Sequence, residues 1–242
     1  MNIPRLRIFA GPNGSGKSTL KSVISDELLG IYINPDEIEK EINEKDFLDL
    51  EYYQISTNNE ELRTFFTNHP LLIKANLDFE ALSLKYIDNK IDFHEVIVNS
   101  YFASVCADFI RQKLIKQKIS FTFETVMSSR DKVELLKTAQ ENGYRTYLYY
   151  IATQDPIINI SRVKSRVKFG GHDVPKEKII NRYYKSLELL KEAIKYSNRA
   201  YIFDNSNTNR LWLAEITDFK DVELKNETIP FWFEKYVLKA EL

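Results

Sequence analysis

From Gly11 to Ser18 the chain runs glycine, four residues, glycine, lysine, serine, inside the stretch FAGPNGSGKSTL at Phe9–Leu20. This is the spacing of a phosphate-cradling Walker A loop, and it constrains the fold more than any other feature. The nine residues Gly11, Pro12, Asn13, Gly14, Ser15, Gly16, Lys17, Ser18 and Thr19 are the expected nucleotide-binding set. Backbone N–H groups and the following helix start face the phosphates. Lys17 reaches the outer phosphates, and the Ser18 hydroxyl is the candidate ligand of Mg²⁺. Such a loop joins a buried strand to a helix, which "LRIFAGP" and "KSTLKSVISDELL" supply on either side.

The rest of the chain keeps that alternation. "IYIN" reads as a strand followed by a helix at "NPDEIEKEI", with Asn34 as N-cap and Pro35 at the first helical position. A helix at "YFASVCADFIRQKLIKQK" precedes the strand "ISFTFETVM", and a capped helix closed by Gly143 precedes the strand "YRTYLYYIAT". Two helices flank the loop "GGHDVP", and "RAYIFDNS" is a fifth strand. Strands alternating with helices predict an α/β fold, a parallel sheet covered by helices on both faces. Residues 43–99 break the rhythm and read as a mostly helical insertion. The tail over 211–242 suggests a strand or hairpin, then a short helix with Pro230 near its start.

Composition excludes several classes. The 242 residues hold 34 basic and 35 acidic side chains, so no bulk positive field calls for nucleic acid. One cysteine, Cys106, rules out an internal disulfide or a cysteine-based zinc cluster. The first apolar run is far too short for a signal peptide or a membrane span. A cytoplasmic protein without nucleic-acid or membrane partners is the expectation.

Three machines use such a loop. An ABC-type ATPase needs a second signature and an apolar strand ending in Asp-Glu, and "FGGHD" is only an echo of the first. A GTPase would read guanine with a tetrapeptide like "NKID" at Asn89–Asp92, but this one follows a polar stretch and comes too early in the topology. A kinase needs a group to accept the hydroxyl proton and cations over the charge on the phosphoryl group in flight. Asp36, just after the second strand, is the candidate base, although the helix dipole alone also favours an acid there. Glu124 ends the third strand at the ligand-facing edge, followed by Thr125, and fits a substrate or Mg²⁺ contact or a solvated strand end. Arg162, Arg166 and Arg182 are the candidate cations. Helical spacing sets Arg162 and Arg166 away from Ile160, Val163 and Val167, as on a solvated face or on a lid folding over nucleotide. The loop "FGGHDVP" resembles the tip of a mobile lid, with His172 as a candidate contact. His69 and His94 stand in the insertion without carboxylate or cysteine company in the sequence, so no metal site follows from them.

Taken in order, "GPNGSGKST", "INPDEI", "FTFETVMSS", "RVKSRVKFGGHDVPKEKIINRYYKSL" and "YIFDNS" resemble the zeta-toxin-like P-loop kinases, in the branch also labelled predicted ABC-type ATPase. The resemblance covers residues 5–42 and 100–206. It implies one kinase-like domain over 1–242 with strand order 2-3-1-4-5 and a lid at 155–185. It also implies ATP or GTP as donor, with Mg²⁺. In characterised members the acceptor is the 3′-hydroxyl of the sugar in UDP-N-acetylglucosamine, and an antitoxin silences the enzyme at its nucleotide site. Carried onto this chain, Asp36 takes the place of the base and Glu124 that of the acidic substrate contact. Arg166 and Arg182 are the first choice of lid arginines, with Arg162 as the alternative, and Asn205 borders the nucleotide base. Two alternatives remain: a kinase with another acceptor, such as a nucleoside or a nucleic-acid end, and a nucleotide-dependent switch or binding module.

Overall fold

The computed structural model describes residues 3–21, 24–171 and 173–239. They form two compact units, one built from the chain up to Gly30 and from Ser120 onward, the other from Ile31 to Ile119. The first begins with β1 (Arg5–Ala10), the phosphate loop, α1 (Lys17–Leu20) and α2 (Asp26–Leu29). The single helix expected over this stretch is thus broken, with Ser25 in an extended conformation before α2. Serine competes for backbone hydrogen bonds and favours such a cap over a helix interior.

The second unit holds β2 (Ile31–Ile33), α3 (Pro35–Lys45), β3 (Phe47–Asp49), α4 (Asn59–Thr67), α5 (Pro70–Ala75), β4 (Lys85–Ile87), β5 (Lys90–Asp92) and α6 (Ser100–Gln117). As expected, the Asn34 side chain caps α3, accepting the Asp36 N–H at 3.0 Å. The regular structure within 43–99 is mainly helical, but it also contains an unforeseen three-stranded antiparallel sheet in the order β3-β5-β4. "NKID" lies in the hairpin between β4 and β5. Asp88 and Asn89 adopt positive φ, as a tight two-residue turn requires, and the Tyr86 hydroxyl donates to Asn89 Oδ1 at 2.6 Å. Of the tetrapeptide, only Asn89 is in the turn; Lys90–Asp92 form β5.

The first unit resumes with β6 (Phe121–Thr125), α7 (Asp131–Glu141), β7 (Arg145–Ala152), α8 (Pro156–Lys168), α9 (Lys176–Glu188), α10 (Leu190–Lys195) and β8 (Arg199–Asp204). It ends with β9 (Leu211–Thr217), β10 (Asp221–Leu224) and α11 (Phe231–Phe233), capped by Pro230. The helix expected to continue α9 is interrupted at Leu189. Its four parallel strands run β6-β1-β7-β8, the 3-1-4-5 part of the expected order, and β9 and β10 extend the sheet antiparallel.

One face of this sheet carries Leu6, Ile8, Leu148, Tyr150, Ala200 and Ile202, all fully buried. Helices cover it. The Tyr150 hydroxyl meets Ser186 Oγ of α9 at 3.0 Å, its ring lies 6.2 Å from Trp232 of α11, and Gln140 of α7 donates to Thr146 Oγ1 at 3.1 Å. The other face is buried as well, with Phe9 and Ile151 fully so and Phe203 nearly so, but it mixes polar groups into the apolar surface. Across β1, β7 and β8 it presents Arg7 over the Tyr147 ring at 5.4 Å and Tyr149 stacked on Tyr201 at 4.8 Å. Burial beside Tyr201 pushes the Tyr149 phenol up to about 12, against the pull of Arg7.

Candidate functional site

The phosphate loop leaves β1 at Gly11, whose φ of 145° suits glycine; a Cβ there would lie 2.0 Å from the Ile151 carbonyl oxygen of β7. At the other end Gly16 has φ 104°, and a Cβ would meet the Asn205 amide nitrogen at 2.5 Å. Asn205 uses that approach. Its Nδ2 donates to the Ser15 carbonyl at 2.8 Å, so the β8–β9 loop braces the phosphate loop from one side. From the other side Asn159 of α8 donates to the Asn13 carbonyl at 2.6 Å, while its own Oδ1 accepts the Thr153 hydroxyl.

Within the cradle Lys17 is 8% exposed, and its ammonium donates to the Pro12 carbonyl at 3.0 Å. The Ser18 hydroxyl faces both oxygens of Glu124, at 3.3 and 3.2 Å. Parallel register sets Glu124 opposite Phe9, at the strand end beside the loop. A hydroxyl and a carboxylate side by side are hard oxygen ligands. Mg²⁺ at nucleotide sites is held by one or two such groups together with the phosphates, so this pair fits the ion. The loop fits phosphate as well: Ser15 Oγ is buried with no hydrogen-bond partner among the described residues. A phosphoryl oxygen would accept the Ser15 O–H.

The proposed lid is the α8–α9 pair. It has its own small core of Ile160, Val163, Val174 and Ile179, with Val167 and Ile180 packed against it. Asp155 caps α8 by accepting the Ile157 N–H at 2.7 Å, and the Tyr183 hydroxyl ties α9 to the Thr153 carbonyl at 2.6 Å. The two arginines of "RVKSRV" differ. Arg162 is half-buried, with Nη2 3.5 Å from the Asn207 carbonyl and Nη1 buried without a partner among the described residues. Arg166 is exposed, with its stem against Gly171. Arg162 therefore does not stand on a fully solvated face. Arg182 is half-buried on α9. His172 lies outside the described residues.

Asn205, expected beside the nucleotide base, has its amide engaged by the loop backbone. The Thr125 hydroxyl accepts the Met127 N–H at 3.1 Å. Asp36 belongs to the second unit, on the first turn of α3, with an exposed side chain. That unit has a cavity of about 340 Å³ lined by Tyr32, Asn34, Glu37, Glu41, Lys45 and Tyr53, among others. Positions 34, 37, 41 and 45 share one face of α3, and helical spacing sets Asp36 on the opposite side. The two histidines of the insertion do have carboxylate neighbours, contrary to the expectation from sequence. His69 Nε2 is 3.4 Å from Asp108, and His94 Nδ1 is 2.6 Å from Asp92. Each is a pair, and no group of three or more metal-binding side chains occurs among the described residues. Nor is any described helix long and apolar enough to cross a membrane.

Sequence reasoning missed Asn159, Asp204 and Trp232. Asn159 carried a signal, a polar residue next to the apolar stripe of α8. Asp204 stands in the "DNS" stretch flagged beside Asn205, but its partner Trp232 carried no signal, being 28 residues away and joined to it only by folding.

Comparison with known proteins agrees with this architecture. The sequence pattern of the zeta toxin family matches residues 85–217, more than half of the chain and downstream of the phosphate loop. An uncharacterised protein of Haemophilus influenzae is 30% identical over 175 residues, covering 72% of this chain and 89% of that one. Among solved structures, the complex of AvrRxo1-ORF1 and -ORF2 with ATP superposes with a TM-score of 0.58 at 13% identity, covering 99% of this chain. This chain spans 65% of that one's length. A structure from the PezAT chromosomal toxin–antitoxin system of Streptococcus pneumoniae has a TM-score of 0.54 at 14% identity, covering 100% of this chain and 81% of its own. With a phosphate loop built as described and the family pattern over more than half of the chain, this protein belongs to the zeta toxin family of P-loop kinase-like proteins.

Proposed function

We propose that this protein is a kinase that moves the terminal phosphoryl group of ATP or GTP to a hydroxyl of a small molecule. The observation that carries this is the Ser18–Glu124 pair beside Lys17: an oxygen pair for Mg²⁺ and a buried cation for the outer phosphates, in one cradle. Mg²⁺, when bound, neutralises charge on the donor phosphates. Lys17 orients the phosphoryl group and offsets the charge it develops, and Arg162, Arg166 or Arg182 adds a cation from the lid. Arg162 is favoured for its half-buried guanidinium on the loop side of α8. Asp36 is the reading for the base that takes the acceptor's proton. Glu124, with Thr125 beside it, steers the acceptor as well as the metal. A contact from His172 at the lid tip completes the reading.

For the acceptor we take the family's nucleotide sugar, UDP-N-acetylglucosamine, as the first substrate to try. An antitoxin is the expected partner, since the structural relatives include a toxin–antitoxin system. The test is transfer of γ-labelled phosphate from ATP or GTP with Mg²⁺ to that sugar nucleotide, read by mass, with Lys17→Ala and Asp36→Ala alongside. A singly phosphorylated product lost in both variants supports donor site, base and acceptor together. Product at the parent rate in Asp36→Ala removes Asp36 as base. No product with intact nucleotide binding removes this acceptor and opens the panel to nucleosides and nucleic-acid ends. If those fail as well, a nucleotide-dependent binding module takes the kinase's place.

A further inference from the structure

The last described segment of the chain reaches back to the donor site. Trp232 is 3% exposed, its ring held between Tyr150 at 6.2 Å and Phe233 at 5.9 Å. Its indole N–H donates to Asp204 Oδ2 at 2.7 Å. Asp204, at the end of β8, is 2% exposed, and a buried carboxylate must collect donors to stay in place. Among the described residues it collects three: the indole on Oδ2, the Ser206 hydroxyl on Oδ2 at 2.9 Å, and the Ser206 N–H on Oδ1 at 2.9 Å. Ser206 Oγ in turn accepts the Gln154 N–H at 2.8 Å, closing the turn against the chain that leads into α8.

Asn205 is the residue between Asp204 and Ser206. Its N–H bonds to the Ala152 carbonyl at 2.8 Å, and its amide braces Ser15 of the phosphate loop at 2.8 Å. The carboxylate that folds this turn therefore decides where the Asn205 amide points. Of its three donors, two come from the turn itself and move with it. Only Trp232, among the described residues, anchors the carboxylate to the core from outside.

We propose that Trp232 is a positioning residue of the donor site: through Asp204 it holds Asn205 against Ser15, so the segment after β10 sets the shape of the phosphate cradle. This rests on the reading of that cradle as a nucleotide site. A C-terminal segment that merely seals the hydrophobic core would affect stability and leave the nucleotide's affinity untouched. A strut would loosen the cradle even where the fold survives.

Trp232→Phe separates the two, since it keeps an aromatic ring, though a smaller one, and removes the N–H. The matched control is Tyr150→Phe, which deletes the Tyr150–Ser186 hydrogen bond in the same core without touching Asp204. ATP affinity is measured by calorimetry on the full chain with Mg²⁺. We expect Trp232→Phe to weaken ATP binding about five- to twenty-fold, the scale of one lost bond to a charged group passed partly to its neighbours. Tyr150→Phe should keep parent affinity within about two-fold at a comparable fall in melting temperature. In Trp212→Phe, Trp232 is the only tryptophan left, and its emission should change with ATP to a saturating end point. Equal ATP affinity in Trp232→Phe and the parent overturns the inference and leaves the kinase reading standing. A silent Trp232 under saturating ATP overturns it too, and covers the case in which Trp232→Phe does not fold. If the parent binds no nucleotide at all, the reading of the cradle fails and the strut goes with it.

Discussion

The Ser18 hydroxyl and the Glu124 carboxylate stand 3.2–3.3 Å apart, although 106 residues separate them in the chain. The pair brings the hydroxyl proposed to hold Mg²⁺ onto an acid at a strand end. Glu124→Gln keeps the shape and removes the charge. Turnover should fall at least about 100-fold at millimolar Mg²⁺, while nucleotide binding in the presence of a chelator stays within a few-fold of the parent. Parent-level turnover would remove Glu124 from the metal and acceptor alike.

Lys17 rests on the Pro12 carbonyl, poised within the cradle. Lys17→Ala should weaken ATP binding by on the order of 10–100-fold, as expected for losing a charge-assisted contact. Competition with a fluorescent nucleotide measures it, and circular dichroism should stay unchanged.

Gly11 has no room for a side chain. Gly11→Ala sets a Cβ against the Ile151 carbonyl at a φ of 145°. The strain of one such position is about 1–3 kcal/mol, enough to lower the melting temperature by several degrees in a protein of this size. Gly143→Ala, where φ is 81° but nothing lies within 4 Å, should cost less. Equal melting temperatures for the two variants would show that the β7 carbonyl gives way.

Much of this arrangement is legible in the sequence because its causes are local. Glycine spacing marks the loop, Asn34 and Pro35 mark the start of α3, and the dense β-branched and aromatic run at Phe121–Thr125 marks a strand. The three-residue strands β3, β4 and β5 escape because so short a segment shows no period. The break between α1 and α2 escapes because the apolar spacing runs on through it. At the site, the loop and Glu124 can be found from the sequence. The braces from Asn159 and Asn205 cannot, since they join residues 146 and 190 positions apart.

His94 and Asp92 form a pH-dependent pair on the second unit. The hydrogen bond to Asp92 raises the imidazole above its ordinary 6.5, while the His94 backbone N–H first, and the ring contact second, lower the Asp92 carboxyl below its ordinary 3.8. The histidine's contribution to stability is full below 6.5 and is lost as pH rises through its raised folded value. The carboxylate's contribution is full above 3.8 and is lost as pH falls through its lowered one. Proton NMR should find His94 titrating above 6.5, and Asp92→Asn should bring it back. An unshifted His94 in the parent would dissolve the pair.

Cys106 is fully buried, and burial pushes its thiol well above the ordinary range. A thiol reagent at pH 8 should leave the native protein unmodified and label one site after denaturation. Rapid labelling of the native state would mean that α6 opens readily.

β1 precedes β6 and β7 in the chain, yet it sits between them in the sheet. The phosphate loop is complete in sequence by Thr19, but its brace at Asn205 is made 190 residues after Ser15, and the anchor at Trp232 later still. A nascent chain therefore carries the motif without the Asn205 brace until 190 residues after Ser15 have been made. Contacts of such long sequence separation also form slowly. This order of assembly withholds the finished cradle until the β8–β9 loop has been made, and a chain released before Trp232 would carry the motif without that anchor.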